Sequence, residues 1–159
     1  MLPANVEKVL STLSDADLVL DVGGWACPFN RAQWILDAEP FETRGFYSTF
    51  GGKPSQGGEK EWFTKDTWVQ RDFCDREPWP FRDKQFDFAI CSHTLEDVRD
   101  PVGVCRELVR VAKRGYIQVR ARKLESCRGL ERPGMVGLSH HRWFVDIQGS
   151  TIRFIQKYH

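Results

Sequence analysis

A chain of 159 residues, 41% apolar and 28% charged, has the length and composition of one globular domain and excludes a two-domain enzyme. Its 23 Lys plus Arg against 22 Asp plus Glu leave a net charge of +1, so nothing draws it as a whole to nucleic acid or an anionic membrane. No stretch nears the ~20 unbroken apolar residues of a membrane span, and Glu7 and Lys8 interrupt the opening where a signal peptide is apolar, so a cytoplasmic protein is expected.

Val6, Val9, Leu10 and Leu13 fall at i, i+3, i+4 and i+7 and predict a short amphipathic helix. Residues 18–22 form an apolar run without alternation that stops at Gly23-Gly24, the pattern of a strand buried on both faces. A second such run, 33–36, ends at Asp37. Residues 38–66, punctuated by Pro40, Pro54 and several glycines and lacking periodicity, are expected to be a mobile lid or binding loop. Strands are expected over 67–73 and 86–91, separated by the polar link REPWPFRDKQ.

Asp100-Pro101 supplies an N-cap acceptor and a proline for the first helical position, and Val104, Cys105, Leu108, Val109 and Ala112 repeat at helical spacing. Lys113-Arg114-Gly115 is expected to close that helix, leaving 116–119 as a fifth strand. Residues 120–141 read as irregular, and 143–147 with 151–155 flank Gln148-Gly149-Ser150 as a hairpin. The whole predicts a single α/β domain, 1–159, with a mostly parallel sheet, a C-terminal antiparallel hairpin and few helices. The five cysteines, Cys27, Cys74, Cys91, Cys105 and Cys127, are odd in number and form no C-x-x-C pair, so they are expected to be reduced.

The turn after the first strand, Asp21-Val22-Gly23-Gly24-Trp25, has glycines where backbone must approach a ligand closely. Asp37, at the end of the second strand, is placed to accept hydrogen bonds from both hydroxyls of a ribose. With Asp72 closing the third run, three acids stand at three successive strand ends, although Asp21 and Asp72 also suit turn capping. Trp25 is placed either to stack near a ligand or to pack into the core, and core packing is favoured.

From LVLDVGG to GYI, roughly residues 15–120, the chain resembles the class I S-adenosylmethionine (SAM) dependent methyltransferases, and FDFAICSHTLEDV followed by ELVRV resembles the subgroup whose motif reads SHxLEHV. The resemblance implies a Rossmann-like fold and SAM as cofactor, with S-adenosylhomocysteine as product. It places Gly23 and Gly24 on the methionine part, Asp37 on the ribose, Asp72 with Phe73 on the adenine, and Cys91, Ser92 and His93 toward the methionine and sulfonium; Asp21, Trp25 and Ala38, in the same turns, are further candidates for the cofactor site. Trp25 and Cys27 stand where the family has its later glycines, Asp97 where it has histidine, and two of its helices find no counterpart.

Methyl transfer from a sulfonium is an in-line displacement in which a base is optional. His93, His140 and His141 are the candidate bases by pKa. Tyr47 and Phe50 are candidates for an aromatic wall around the acceptor or for anchors of the 38–66 segment. Adjacent histidines without a third ligand nearby in sequence predict no metal. The basic run from Arg106 to Arg132 reads as solvated surface rather than a nucleic-acid site. The expected function is therefore methyl transfer to a small molecule, N-methylation slightly favoured over O-methylation, with a homodimer as a further expectation. A non-catalytic SAM-binding or partner protein and a dehydrogenase are the rivals, the latter short of a second βαβ half.

Overall fold

Every side chain of β1 (Val19–Val22) is buried, because this strand lies in the middle of a five-stranded parallel sheet. In the computed structural model, which describes residues 1–158, β1 pairs with β2 (Trp34–Asp37) on one side and β4 (Phe86–Ser92) on the other. β3 (Trp68–Gln70) extends the sheet beyond β2 and β5 (Ala112–Gln118) beyond β4, giving the order β3-β2-β1-β4-β5. A parallel sheet must be covered on both faces, and the apolar residues divide accordingly. On one face α1 (Pro3–Thr12) lays Val6, Val9 and Leu10 against Val19, Ile35, Phe88 and Ile90. On the other α2 (Pro101–Val111) lays Val104, Leu108 and Val111 against Leu20, Val22, Leu36 and Ala89.

α2 begins as its residues dictate: the Asp100 carboxylate accepts the Gly103 N–H at 2.9 Å, with Pro101 at the first helical position. Its end differs from the expectation. The helix stops at Val111 and Lys113, Arg114 and Gly115 already belong to β5, because pairing from Phe86↔Ala112 to Ser92↔Gln118 claims them. Gly115 serves that pairing, since a Cβ there would meet the Ala89 carbonyl oxygen at 2.6 Å. The helix C-terminus is capped instead by Lys84, whose Nζ donates to the carbonyls of Val109 and Ala112.

β3 is shorter than expected, and no α-helix joins β1 to β2, β2 to β3 or β3 to β4. Between β2 and β3 the chain holds only short 3₁₀ segments, at Phe41–Thr43, Phe46–Phe50 and Lys65–Thr67. Residues 38–66 are laced to the β1–β2 connection by backbone bonds, Gly45 N–H to the Trp25 carbonyl, Gln56 to Pro28 and Trp62 to Asn30. After β5 come a four-residue helix, α3 (Arg122–Glu125), and a separate hairpin of β6 (Trp143–Gln148) and β7 (Thr151–Gln156) turning on Gly149 at φ +58°. Five of the nine cations of the basic run, Arg110, Lys113, Arg114, Arg120 and Arg122, stand in ion pairs, so the run is no free patch. All five cysteines are free. Among the described residues no helix is long and apolar enough to cross a membrane.

Candidate functional site

β1 connects toward β2 and β4 toward β5, on opposite sides, so the strand order reverses between β1 and β4. Loops that leave neighbouring strands in opposite directions open a crevice at the strand C-termini. A cavity of about 1240 Å³ lies there, lined by the β1 turn (Gly23, Gly24, Trp25), Asp37 at the end of β2, Phe73 beyond β3 and Ser92, His93 and Thr94 beyond β4.

The turn owes its glycines to its own packing. Gly23 has φ +79°, and a Cβ there would lie 2.1 Å from Thr94 Oγ1; one on Gly24 would lie 2.4 Å from Asp21 Oδ2. Thr94 thus presses against the turn across the strand-order reversal, and Asp21 lies beneath it, accepting the Phe29 N–H at 2.9 Å. Burial pushes the Asp21 carboxyl up to about 7, and the nearby charge of Asp37 adds to the rise. Asp37 accepts the Trp25 N–H at 2.8 Å on one oxygen and the Glu39 N–H at 3.0 Å on the other. Burial raises it to about 6 against the pull of these bonds. Each oxygen keeps a further acceptor site. Trp25 packs partly against the α1-side core, stacks on Phe46 at 4.6 Å and lines the cavity as well.

His93 stands in the left-handed region at φ +57°, unusual for a residue with a Cβ. Its Nε2 lies 2.8 Å from Gln118 Nε2. Because Gln118 Oε1 accepts from both Asn5 Nδ2 and Tyr116 OH, each at 3.0 Å, the Gln118 amide nitrogen is the donor and His93 Nε2 the acceptor. The ring proton then resides on Nδ1, which faces Glu96 Oε1 at 3.7 Å.

His141 is buried, with Nδ1 2.9 Å from Glu125 Oε2 and Nε2 3.6 Å from Asp97 Oδ1. Burial lowers its pKa below that of a free imidazole, and Nδ1–H donates to Glu125. His140 is exposed and packs edge-on against His141 at 4.6 Å. Burial together with the charges of Glu96 and Glu125 lifts the Asp97 carboxyl to about 7. Asp97, His140 and His141 each bring one ligating atom within 4.8 Å of the others, and all three line the crevice and a smaller cavity of about 760 Å³ against the hairpin.

The structure thus gathers Asp21, Gly23, Gly24, Trp25, Asp37, Tyr47, Phe73, Ser92, His93, His140 and His141 around one cavity. Four sequence candidates do not line it. Cys91 is buried in the α2-side core. Asp72 accepts the Cys74 N–H and pairs with Arg99 at 2.6 Å, contacts that hold its carboxyl below the ordinary range. Phe50 is 77% exposed beside Phe46, and Ala38 is exposed. Sequence reasoning missed Thr94, Gln118 and Glu125, whose parts depend on partners far along the chain.

Residues 53–118 match the family model described as a methyltransferase domain. No curated protein matches the chain significantly. Among solved structures the chain is similar to a SAM dependent methyltransferase from Aquifex aeolicus (19% identity, 83% of this chain and 69% of that one, TM-score 0.47). It is also similar to an S-adenosylmethionine dependent methyltransferase from Mesorhizobium loti (15%, 94% and 62%, 0.46) and a putative methyltransferase from Bacillus halodurans (21%, 70% and 46%, 0.45). The chain spans less than half the length of the last of these.

Proposed function

We propose that this chain, whose residues 53–118 match the model of a methyltransferase domain, transfers the sulfonium methyl group of SAM to a small-molecule acceptor, an amine in preference to a hydroxyl. The observation that carries this reading is the crevice at the strand-order reversal, with the buried Asp37 carboxylate on its wall. The residues suit the cofactor: Asp37 keeps one acceptor site per oxygen for two adjacent ribose hydroxyls, and the Ser92 hydroxyl is buried without a protein partner. The segment from Ser92 to Val98, SHTLEDV, supports the subgroup whose motif reads SHxLEHV.

SAM bound there supplies an electrophilic methyl on a positively charged sulfur, open to in-line displacement. The chain's own residues align the partners and exclude water. Asp37 would accept the ribose hydroxyls, Phe73 would offer an apolar face to the adenine, and Ser92 and His93 would border the methionine end. The Asp72 carboxylate, held by Arg99, steadies the loop that carries Phe73. His93 is not free to take a proton while Gln118 donates to its Nε2, and a neutral amine needs no base, which is why the amine is preferred.

A second reading, a methyltransferase-like domain without activity, is favoured by Trp25 stacked on Phe46 where the family has glycine. Calorimetric titration with SAM and with S-adenosylhomocysteine separates the two. Binding of both, the product at least as tightly, is expected; binding of neither rejects transfer and leaves the inactive domain.

A further inference from the structure

We propose that Asp97, His140 and His141 form a binding site for one divalent transition-metal ion of the zinc class on the wall of the crevice. Two imidazoles and one carboxylate are the donor set of three-ligand zinc sites that keep a fourth position open. The spacing fits: ligand atoms bound to one tetrahedral zinc at 2.0–2.1 Å lie ~3.4 Å apart, and His141 Nε2 is 3.6 Å from Asp97 Oδ1, with the whole set inside 4.8 Å.

The surroundings prepare these atoms for a cation. Glu125 takes the Nδ1 proton of His141 as a hydrogen bond and so turns a lone pair on Nε2 toward Asp97, the outer-shell carboxylate arrangement that orients histidine ligands. Glu125 is itself fixed by Lys157 Nζ at 2.6 Å and the Leu138 N–H at 2.9 Å. Asp97 Oδ1 is buried and accepts no hydrogen bond in the protein, and neither does the buried Oε2 of neighbouring Glu96. Unpaired buried carboxylate oxygens are costly, and a cation is the partner that relieves them. Both histidines come from the loop before β6, and Asp97 from the turn after β4, 44 residues earlier than His141 in the sequence.

Three protein ligands leave a position for water or for an oxygen of the acceptor. On the methyltransferase reading, on which this step alone rests, the ion would orient an amine that carries a carboxylate or hydroxyl as a second donor group.

The test titrates the chelator-treated full-length chain with Zn²⁺ by calorimetry, in the absence of SAM, and with Co²⁺ by absorption. One ion per chain is expected, with a Co²⁺ spectrum free of thiolate charge-transfer bands. Asp97→Asn and His140→Ala, neither of which removes a fully buried side chain, are each expected to weaken Zn²⁺ binding at least tenfold with the far-ultraviolet circular dichroism unchanged. No saturable binding, wild-type affinity in both variants, or thiolate bands from the free cysteines would each overturn the site. Because Zn²⁺ is read without SAM, a chain that binds the ion but not SAM sinks the methyltransferase reading and leaves the site standing.

Discussion

Asp37 carries the two tasks that compete most directly at the level of single residues. Its oxygens hold the Trp25 and Glu39 N–H groups, which shape the turn, and the same oxygens border the crevice. A carboxylate accepts from ribose hydroxyls more strongly when ionised, so affinity for SAM should follow its titration. With the group raised to about 6, the ionised form dominates above that pH and is lost as pH falls through it. SAM binding should therefore be level near pH 8 and weaken by ~tenfold at pH 5, as one pH unit below the pKa leaves about a tenth of the group charged. Asp37→Asn should flatten the profile and lower affinity at pH 8 by ~1–3 kcal/mol, the range for losing a charge-assisted bond. Titration calorimetry at pH 5, 6, 7 and 8 measures both; a wild-type affinity that ignores pH removes Asp37 from the ribose.

At the scale of elements, the β1 turn and the turn after β4 form one packed unit, since Gly23 leaves the space that Thr94 fills. Gly23→Ala places a Cβ 2.1 Å from Thr94 Oγ1 and imposes φ +79° on a residue that disfavours it. The expected loss is about 2–4 kcal/mol of unfolding free energy, a left-handed penalty near 1 kcal/mol plus overpacking. Adding Thr94→Ala should recover part of it and not all, because the backbone strain remains. Urea denaturation of the two variants and the pair reads this out, and a Gly23→Ala midpoint equal to wild type refutes the packing. The same elements show what is legible in a sequence. α1, α2 and the hairpin follow from local periodicity and caps, and Gly23, Asp37 and His93 from their places at strand ends. The start of β5 does not, because Lys113-Arg114-Gly115 has the local chemistry of a helix end and only pairing with β4 reassigns it. Thr94, Gln118 and the Asp97–His140–His141 group were hidden for the same reason: their partners lie dozens of residues away, at spacings set by the fold.

Across the whole molecule, the chain lacks the helices that usually cover such a sheet between its first four strands, and polar networks take over part of the joining. Glu125 is one of these junctions. It binds Lys157 Nζ from the end of the hairpin, His141 from the loop before it and the Leu138 N–H between them, with Arg120 Nε at 3.4 Å. Lys157 also donates to the Leu138 carbonyl, and both charged side chains are buried, 2% and 1% exposed. Removing Lys157 takes away the cation at 2.6 Å and leaves the buried Glu125 charge to the Leu138 N–H, His141 and Arg120 Nε at 3.4 Å, so the loss approaches the about 3–5 kcal/mol of a broken buried pair. Against the 5–15 kcal/mol that stabilises a typical domain, Lys157→Ala should thus bring the chain near its unfolding threshold. Exchange of backbone amides should show where: protection in 120–141 and the hairpin is expected to fall first, while β1 and β4 keep theirs until global unfolding. Lys157→Met together with Glu125→Gln, which removes both charges while keeping volume and an acceptor for His141, should regain most of the loss. If Lys157→Ala instead unfolds at the wild-type urea midpoint, the hairpin is held by its other ties, the apolar packing of Val145 and Phe154, the Trp143 bonds to the Glu96 and Val98 carbonyls and the Arg122–Asp146 pair, and the buried pair is no junction.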